Sequence, residues 1–205
     1  MVNEERFNSL SHLVGAALAL AGTVVLVGSA LRIGDGWRVL SFVVYGLALI
    51  TQYVTSFLYH SASGSWKPFL RSLDHCAIPL LIAGTYSPFT LVTLRGPWGW
   101  SLFAAIWVLA IIGVVQEMRL FKRPVPSVAL YVVMGWLAIV AIVPLTTALG
   151  YRGFALIAAG GLLYTIGVFF YRASKRGLAF GHGLWHLFVL GGSACHFAAV
   201  LVFVA

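Results

Sequence analysis

His182 and His186 are four residues apart. On a helix that spacing puts both imidazoles on one face, about 5–6 Å apart at Cβ, where one metal ion can bridge them. Two histidines supply half of a tetrahedral shell. His60, in a separate apolar stretch but at matching depth, can supply the third ligand. Three protein ligands plus a water is the composition of a catalytic zinc site. Asp74 falls at the same depth and could bind, orient or deprotonate that water. Asp74 also reads as a helix cap, since it follows Arg71 and Ser72 where a helix is expected to start. Ser56 stands four residues before His60. It reads as the nucleophile of a Ser–His pair, or as a hydrogen-bonding support for His60 or for its own helix. His12 and His75 carry the plainer reading of interfacial residues. His196 lies ten residues beyond His186, roughly 15 Å deeper along a helix. Three histidines and one carboxylate at one depth make metal binding the leading chemistry.

Depth has meaning only in a membrane, and the composition demands one. Of 205 residues, 61% are hydrophobic and 9% are charged, against about 25% charged in soluble domains. The mean hydropathy is +0.98. A soluble enzyme, a disordered chain and a nucleic-acid-binding domain are excluded. The net charge of +8 comes from Lys and Arg scattered between apolar runs, not clustered on one face as a nucleic-acid footprint requires. Seven runs free of Asp, Glu, Lys and Arg are each long enough to span. They predict helices over approximately 12–31, 38–60, 73–94, 97–116, 125–149, 153–172 and 181–204. The fold class is therefore an all-α integral membrane bundle of seven helices, a single domain over 1–205. Alternation in ten-residue strands, the mark of a membrane β-barrel, does not occur. The segment before the first run carries Glu4 and Glu5 against Arg6, which argues against a signal peptide.

Lys and Arg counts in short loops orient such a bundle. Nine fall on the side of the N-terminus: Arg6, Lys67, Arg71, Arg119, Lys122, Arg123, Arg172, Lys175 and Arg176. Four, Arg32, Arg38, Arg95 and Arg152, fall on the other. The N-terminus is expected in the cytoplasm and the C-terminus outside. Pro97 and Pro124 suit helix starts. Pro79, Pro88 and Pro144 predict kinks. The small-residue patches at 158–161 and 191–194 suit close helix packing. Cys76 and Cys195 read as buried free thiols.

The chemistry-bearing residues form an ordered set: Glu5-x-x-Asn8-x-x-x-His12, Ser56-x-x-x-His60, Asp74, and His182-x-x-x-His186. Around them stand Leu73-Asp74-His75-Cys76-Ala77-Ile78, then Leu80 to Tyr86, Trp185-His186, Leu190 to Ser193 and Cys195-His196-Phe197. The set resembles the hemolysin III family, the bacterial branch of the progestin and adipoQ receptor (PAQR) superfamily, over nearly the full length. The resemblance implies seven helices with a cytoplasmic N-terminus, in a bacterial inner membrane. It implies Zn²⁺ held by His60, His182 and His186, with Asp74 holding a water on the metal and Ser56 beside it. Since the superfamily includes alkaline ceramidases, it implies hydrolysis of a lipid amide or ester, with a membrane lipid as substrate or ligand and no nucleic acid. A receptor or sensor with a structural zinc is the alternative. A lytic pore or transporter fits less well, because the helices are apolar nearly all round. The sequence sets no oligomeric state.

Overall fold

The structure, a computed structural model, describes residues 2–118 and 127–205. Arg119, Lys122, Arg123 and Pro124, which entered the charge count and the proline reading, lie outside the described residues. Among the described residues every regular element is helical: α1 Val2–Ile33, α2 Gly36–Ser61, α3 Lys67–Pro88, α4 Pro97–Glu117, α5 Ser127–Trp136, α6 Ile142–Ser174 and α7 Gly181–Phe203, with short helical turns between some of them. Among the described residues, six helical stretches are long and apolar enough to cross a membrane.

One of the six, Ser127–Ser174, runs for 48 residues and includes both α5 and α6. At 1.5 Å per residue it would measure about 72 Å, more than twice a hydrocarbon core. It is interrupted at Gly150, whose φ of 65° and ψ of 175° are not helical. Glycine is suited to that point because it has no Cβ to clash at positive φ. The Trp136 indole N–H donates to the Thr165 hydroxyl at 3.0 Å, so chain from either side of Gly150 lies side by side. The expected spans 125–149, described from Ser127 on, and 153–172 therefore occur as one stretch bent at Gly150, where Tyr151 and Arg152 interrupt the apolar run.

Prolines shape the other breaks. Pro97 opens α4 after Gly96. Pro88 ends α3, and a π-turn, Phe89–Thr93, follows it. Pro144 sits at the start of α6 behind a 3-10 turn, Leu137–Ala141. The disruption expected there falls upstream because the proline ring clashes with the preceding turn and withholds its N–H.

α3 is the central element, and its stretch is the most buried of the six. It packs between α2 and α4, while α1 bridges α2 and α7, and α6 lies along α7. Glycines permit these approaches. A Cβ at Gly84 would collide with Ala48 of α2, and one at Gly160 with the His196 ring of α7. Several hydroxyls inside the bundle bond to their own helix, as Thr85 does to the Leu81 carbonyl at 2.8 Å. A hydroxyl bonded in this way needs no partner from the lipid. Both cysteines are free.

Candidate metal centre

The last turn of α2 carries His60, and the first two turns of α7 carry His182 and His186. The start of α7 is set by Phe180, which takes a left-handed conformation (φ 56°), the one non-glycine residue with positive φ among those described. Gly183 then leaves room for Phe7 and Asn8 of α1, so α1 can lie against the first turn of α7. The three imidazoles converge. Their ring centroids are 5.0, 4.8 and 4.8 Å apart, and one ligand atom from each lies within 4.8 Å of the other two. His182 Nε2 and His60 Nε2 are 3.3 Å apart. A tetrahedral zinc at 2.0–2.1 Å from each nitrogen separates two ligands by roughly 3.3–3.4 Å. The donor set fits that metal in atom type, and the His60–His182 pair has that spacing.

The far nitrogens of two of these rings are held by α1. His60 Nδ1 donates to Glu5 Oε2 at 2.7 Å. His186 Nδ1 donates to the Asn8 carbonyl at 3.2 Å and lies 3.3 Å from the Ser11 hydroxyl. With a carboxylate and a carbonyl as acceptors, Nδ1 carries the hydrogen and Nε2 keeps its lone pair. That is the tautomer and orientation a metal ligand needs. Glu5 also accepts from Lys67 Nζ at 3.2 Å. His12 stacks on His186 with ring centroids 3.7 Å apart and planes 11° from parallel. Its side chain is buried, and both of its nitrogens lack a hydrogen-bond partner among the described residues.

Asp74 is not a helix cap. α3 begins at Lys67, so Asp74 sits two turns in, with helix on both sides. The loop residues thought to precede the helix, Arg71 and Ser72, already belong to it. Asp74 is buried and stands outside the three-histidine cluster. Gln52 Nε2 lies 3.5 Å from Asp74 Oδ1, and His75 Nδ1 lies 3.8 Å from Asp74 Oδ2. His75 itself donates to the Arg71 carbonyl at 2.8 Å near the surface, in keeping with an interfacial residue. His12 departs from that reading, since it is buried against His186. Ser56 is buried on α2 one turn before His60. Neither nitrogen of His60 is directed to it: Nδ1 is engaged by Glu5 and Nε2 faces His182.

Ser56, Asp74, His182 and His186 line one end of a cavity of about 150 Å³. Gln52 and His12 share that wall, and the cavity runs between apolar side chains such as Leu81 and Val189 to His196. The roles of Glu5, Asn8 and Gln52 do not emerge from the charge-free runs. Glu5, Asn8 and His12 are nonetheless spaced three and four apart, which marks one helix face. That signal is readable once α1 is known to begin at Val2.

The model of the family described as "Haemolysin-III related" matches residues 1–197. Hemolysin-3 of Bacillus cereus is 45% identical over 205 residues, which cover 99% of this chain and 93% of the relative. The Hemolysin-3 homolog of Bacillus subtilis (strain 168) is 40% identical over 204 residues, 98% of this chain and 95% of the relative. The human Monocyte to macrophage differentiation factor is 29% identical over 187 residues, 85% of this chain and 76% of its own length.

Proposed function

The chain belongs to the haemolysin-III-related family of multi-pass membrane proteins of bacterial membranes, and on that premise we propose that it is a zinc-dependent hydrolase of a lipid amide or ester at the cytoplasmic leaflet. The observation that carries this reading is the convergence of His60, His182 and His186, with one ligand atom of each within 4.8 Å of the others, where His182 and His186 line a cavity that Asp74 also lines. A bound zinc would supply Lewis-acid chemistry, polarising a carbonyl and making water acidic enough to react near neutral pH. The side chains divide the remaining work. Glu5 and the Asn8 carbonyl fix the rings of His60 and His186. Asp74, held beside Gln52, orients the attacking water and takes its proton. Ser56 donates its hydroxyl hydrogen toward the scissile carbonyl or supports the water. The apolar length of the cavity takes the lipid chain.

The topology in this reading has seven spans, the 48-residue stretch folding back at Gly150. The nine-to-four bias of Lys and Arg puts the N-terminus in the cytoplasm and the C-terminus outside. That places Glu5, His60, Asp74 and His182 at the inner leaflet.

Metal analysis of detergent-purified protein, followed by a lipid-product screen, tests the proposal. The expected result is about one zinc per chain, the stoichiometry of a three-ligand site, with zinc and hydrolysis both lost in His186→Ala. Full retention of zinc in that variant would sink the site assignment.

A second reading is favoured by one observation: the cluster and its partners tie together α1, α2 and α7. A metal there would also serve as a staple in a receptor or membrane-state sensor that turns nothing over. Lysis through a pore, a reading prompted by the name Hemolysin-3 of the Bacillus relatives, fits less well with helices that are apolar nearly all round. Leakage of liposomes by His60→Ala protein as fast as by wild type would revive it.

A further inference from the structure

Beyond the cavity at the metal centre lies a second one, of about 70 Å³. The two share a waist formed by Thr85, Tyr86, Gly135, Trp136, Gly161 and His196. Ten residues of α7 separate His196 from His186, roughly 15 Å of helix. The farther chamber is walled by side chains such as Phe89, Leu102, Leu145 and Phe154.

The polar groups of the waist, one His196 nitrogen apart, are already engaged by the protein. The Thr85 hydroxyl donates to the Leu81 carbonyl at 2.8 Å. The Tyr86 hydroxyl donates to the Met134 carbonyl at 2.9 Å and accepts from the Ala138 amide at 2.8 Å. The Trp136 indole N–H is given to Thr165. His196 Nε2 donates to the Ile157 carbonyl at 3.0 Å. Its Nδ1 is buried and is the one side-chain polar atom of the waist without a partner among the described residues. A space with such walls gives water or a polar ligand little to bond and favours an apolar guest. In a membrane-embedded bundle the apolar guest at hand is the chain of a lipid.

Gly161 stands at the waist with space in front of it. A Cβ there would meet only the Trp136 ring, at 4.0 Å. A longer side chain at 161 can therefore grow into the passage before it strikes anything.

We propose that the distal chamber receives the end of a straight hydrocarbon chain whose head lies at the metal centre, and that Gly161 sets the longest chain the protein accepts. This rests on the lipid reading given above and adds to it a second binding chamber and a specificity-determining residue.

Affinity for a homologous series of straight-chain fatty acids, measured on detergent-purified, zinc-loaded protein, tests it. Wild-type affinity should keep rising with chain length past the waist, by roughly fourfold per methylene buried. Gly161→Leu should leave the shorter acids unchanged and stop the rise at the length that reaches the waist. Ala158→Leu, which fills the distal chamber from within, should stop it in the same place and serves if the first variant does not fold. Two results overturn the proposal: variants that follow the wild-type curve at every length, or a wild-type curve already flat at the waist. Zinc content separates this from the hydrolase reading. Zinc bound without any gain from chain length removes the distal chamber and leaves the metal centre. A rise stopped by Gly161→Leu in protein unable to hold zinc keeps the chamber and removes the hydrolase.

Discussion

Glu5 Oε2 and His60 Nδ1 are 2.7 Å apart, although 55 residues separate them in sequence. A carboxylate behind a metal-binding imidazole raises its basicity and fixes its ring, and loss of such a partner costs 10–100-fold in metal affinity. Glu5→Ala should therefore weaken zinc binding by roughly 10–100-fold, read by competition with a chelator of known affinity. Glu5→Gln should lose less, since its amide oxygen still accepts the hydrogen bond but without the charge. Lys67→Met should lose least, because its pair with Glu5 is partly exposed to solvent and exposed pairs contribute little. Equal zinc affinity in Glu5→Ala and wild type would remove Glu5 from the site.

Asp74 separates the two functional readings. It lies in the cavity of the metal centre but outside the ligand cluster. Asp74→Asn keeps the shape and can still accept from Gln52, but it cannot take a proton from water. Zinc content and thermal unfolding in detergent should stay at wild-type values while lipid hydrolysis falls by about 10²–10⁴-fold, the usual contribution of a general base. A receptor with a structural metal would instead keep its ligand response in this variant. Loss of zinc along with activity would show that Asp74 is a ligand after all.

The parts of this site that were legible in the sequence share a cause. His182 and His186 are linked by helical spacing, and His60 and Asp74 by depth at the same end of their apolar runs. Both signals survive without knowing which helices touch. The contacts made by α1 do not survive in that way. Charge-free runs start that helix near residue 12, whereas it extends to Val2, with Glu4 and Glu5 in its first turn, where carboxylates suit the helix dipole. Reading His12 as interfacial followed from that late start. Placing Asp74 at a helix N-terminus had the same origin, since Lys67 to Leu73 are helical despite their charges. The break near residue 150 was visible because Gly150, Tyr151 and Arg152 interrupt an apolar run. The fold-back and the two chambers depend on side chains from α3, α5, α6 and α7 meeting in space, which no single run records.

His12 lies face to face with His186 and has no hydrogen-bond partner of its own among the described residues. The contact available to it is therefore packing. His12→Phe preserves a flat ring against His186 and should keep zinc content close to wild type. His12→Ala removes that wall, frees the His186 ring to rotate, and should lower zinc affinity without abolishing binding. The chelator competition used for Glu5 reads both variants. If His12→Phe is as damaged as His12→Ala, the imidazole nitrogens matter and packing is not the whole role.

Two adjacent glycines of α6 should respond in opposite ways to the same change. A methyl at Gly160 would collide with the edge of the His196 ring. That ring cannot swing aside freely, because its Nε2 is tied to the Ile157 carbonyl at 3.0 Å. The Gly192 carbonyl, 3.1 Å from the same point, closes the other escape. Relief would require α6 and α7 to separate, and overpacking of this kind costs about 1–3 kcal/mol. At Gly161 the first obstacle is the Trp136 ring at 4.0 Å, an ordinary contact distance. Gly161→Ala also lowers the backbone entropy of the unfolded chain, which favours the variant by about 0.4–1 kcal/mol. Gly160→Ala should therefore lower the midpoint of thermal unfolding in detergent, while Gly161→Ala holds or raises it. Equal shifts in the two variants would mean that the α6–α7 contact yields easily at residue 160, against the geometry that ties His196 in place.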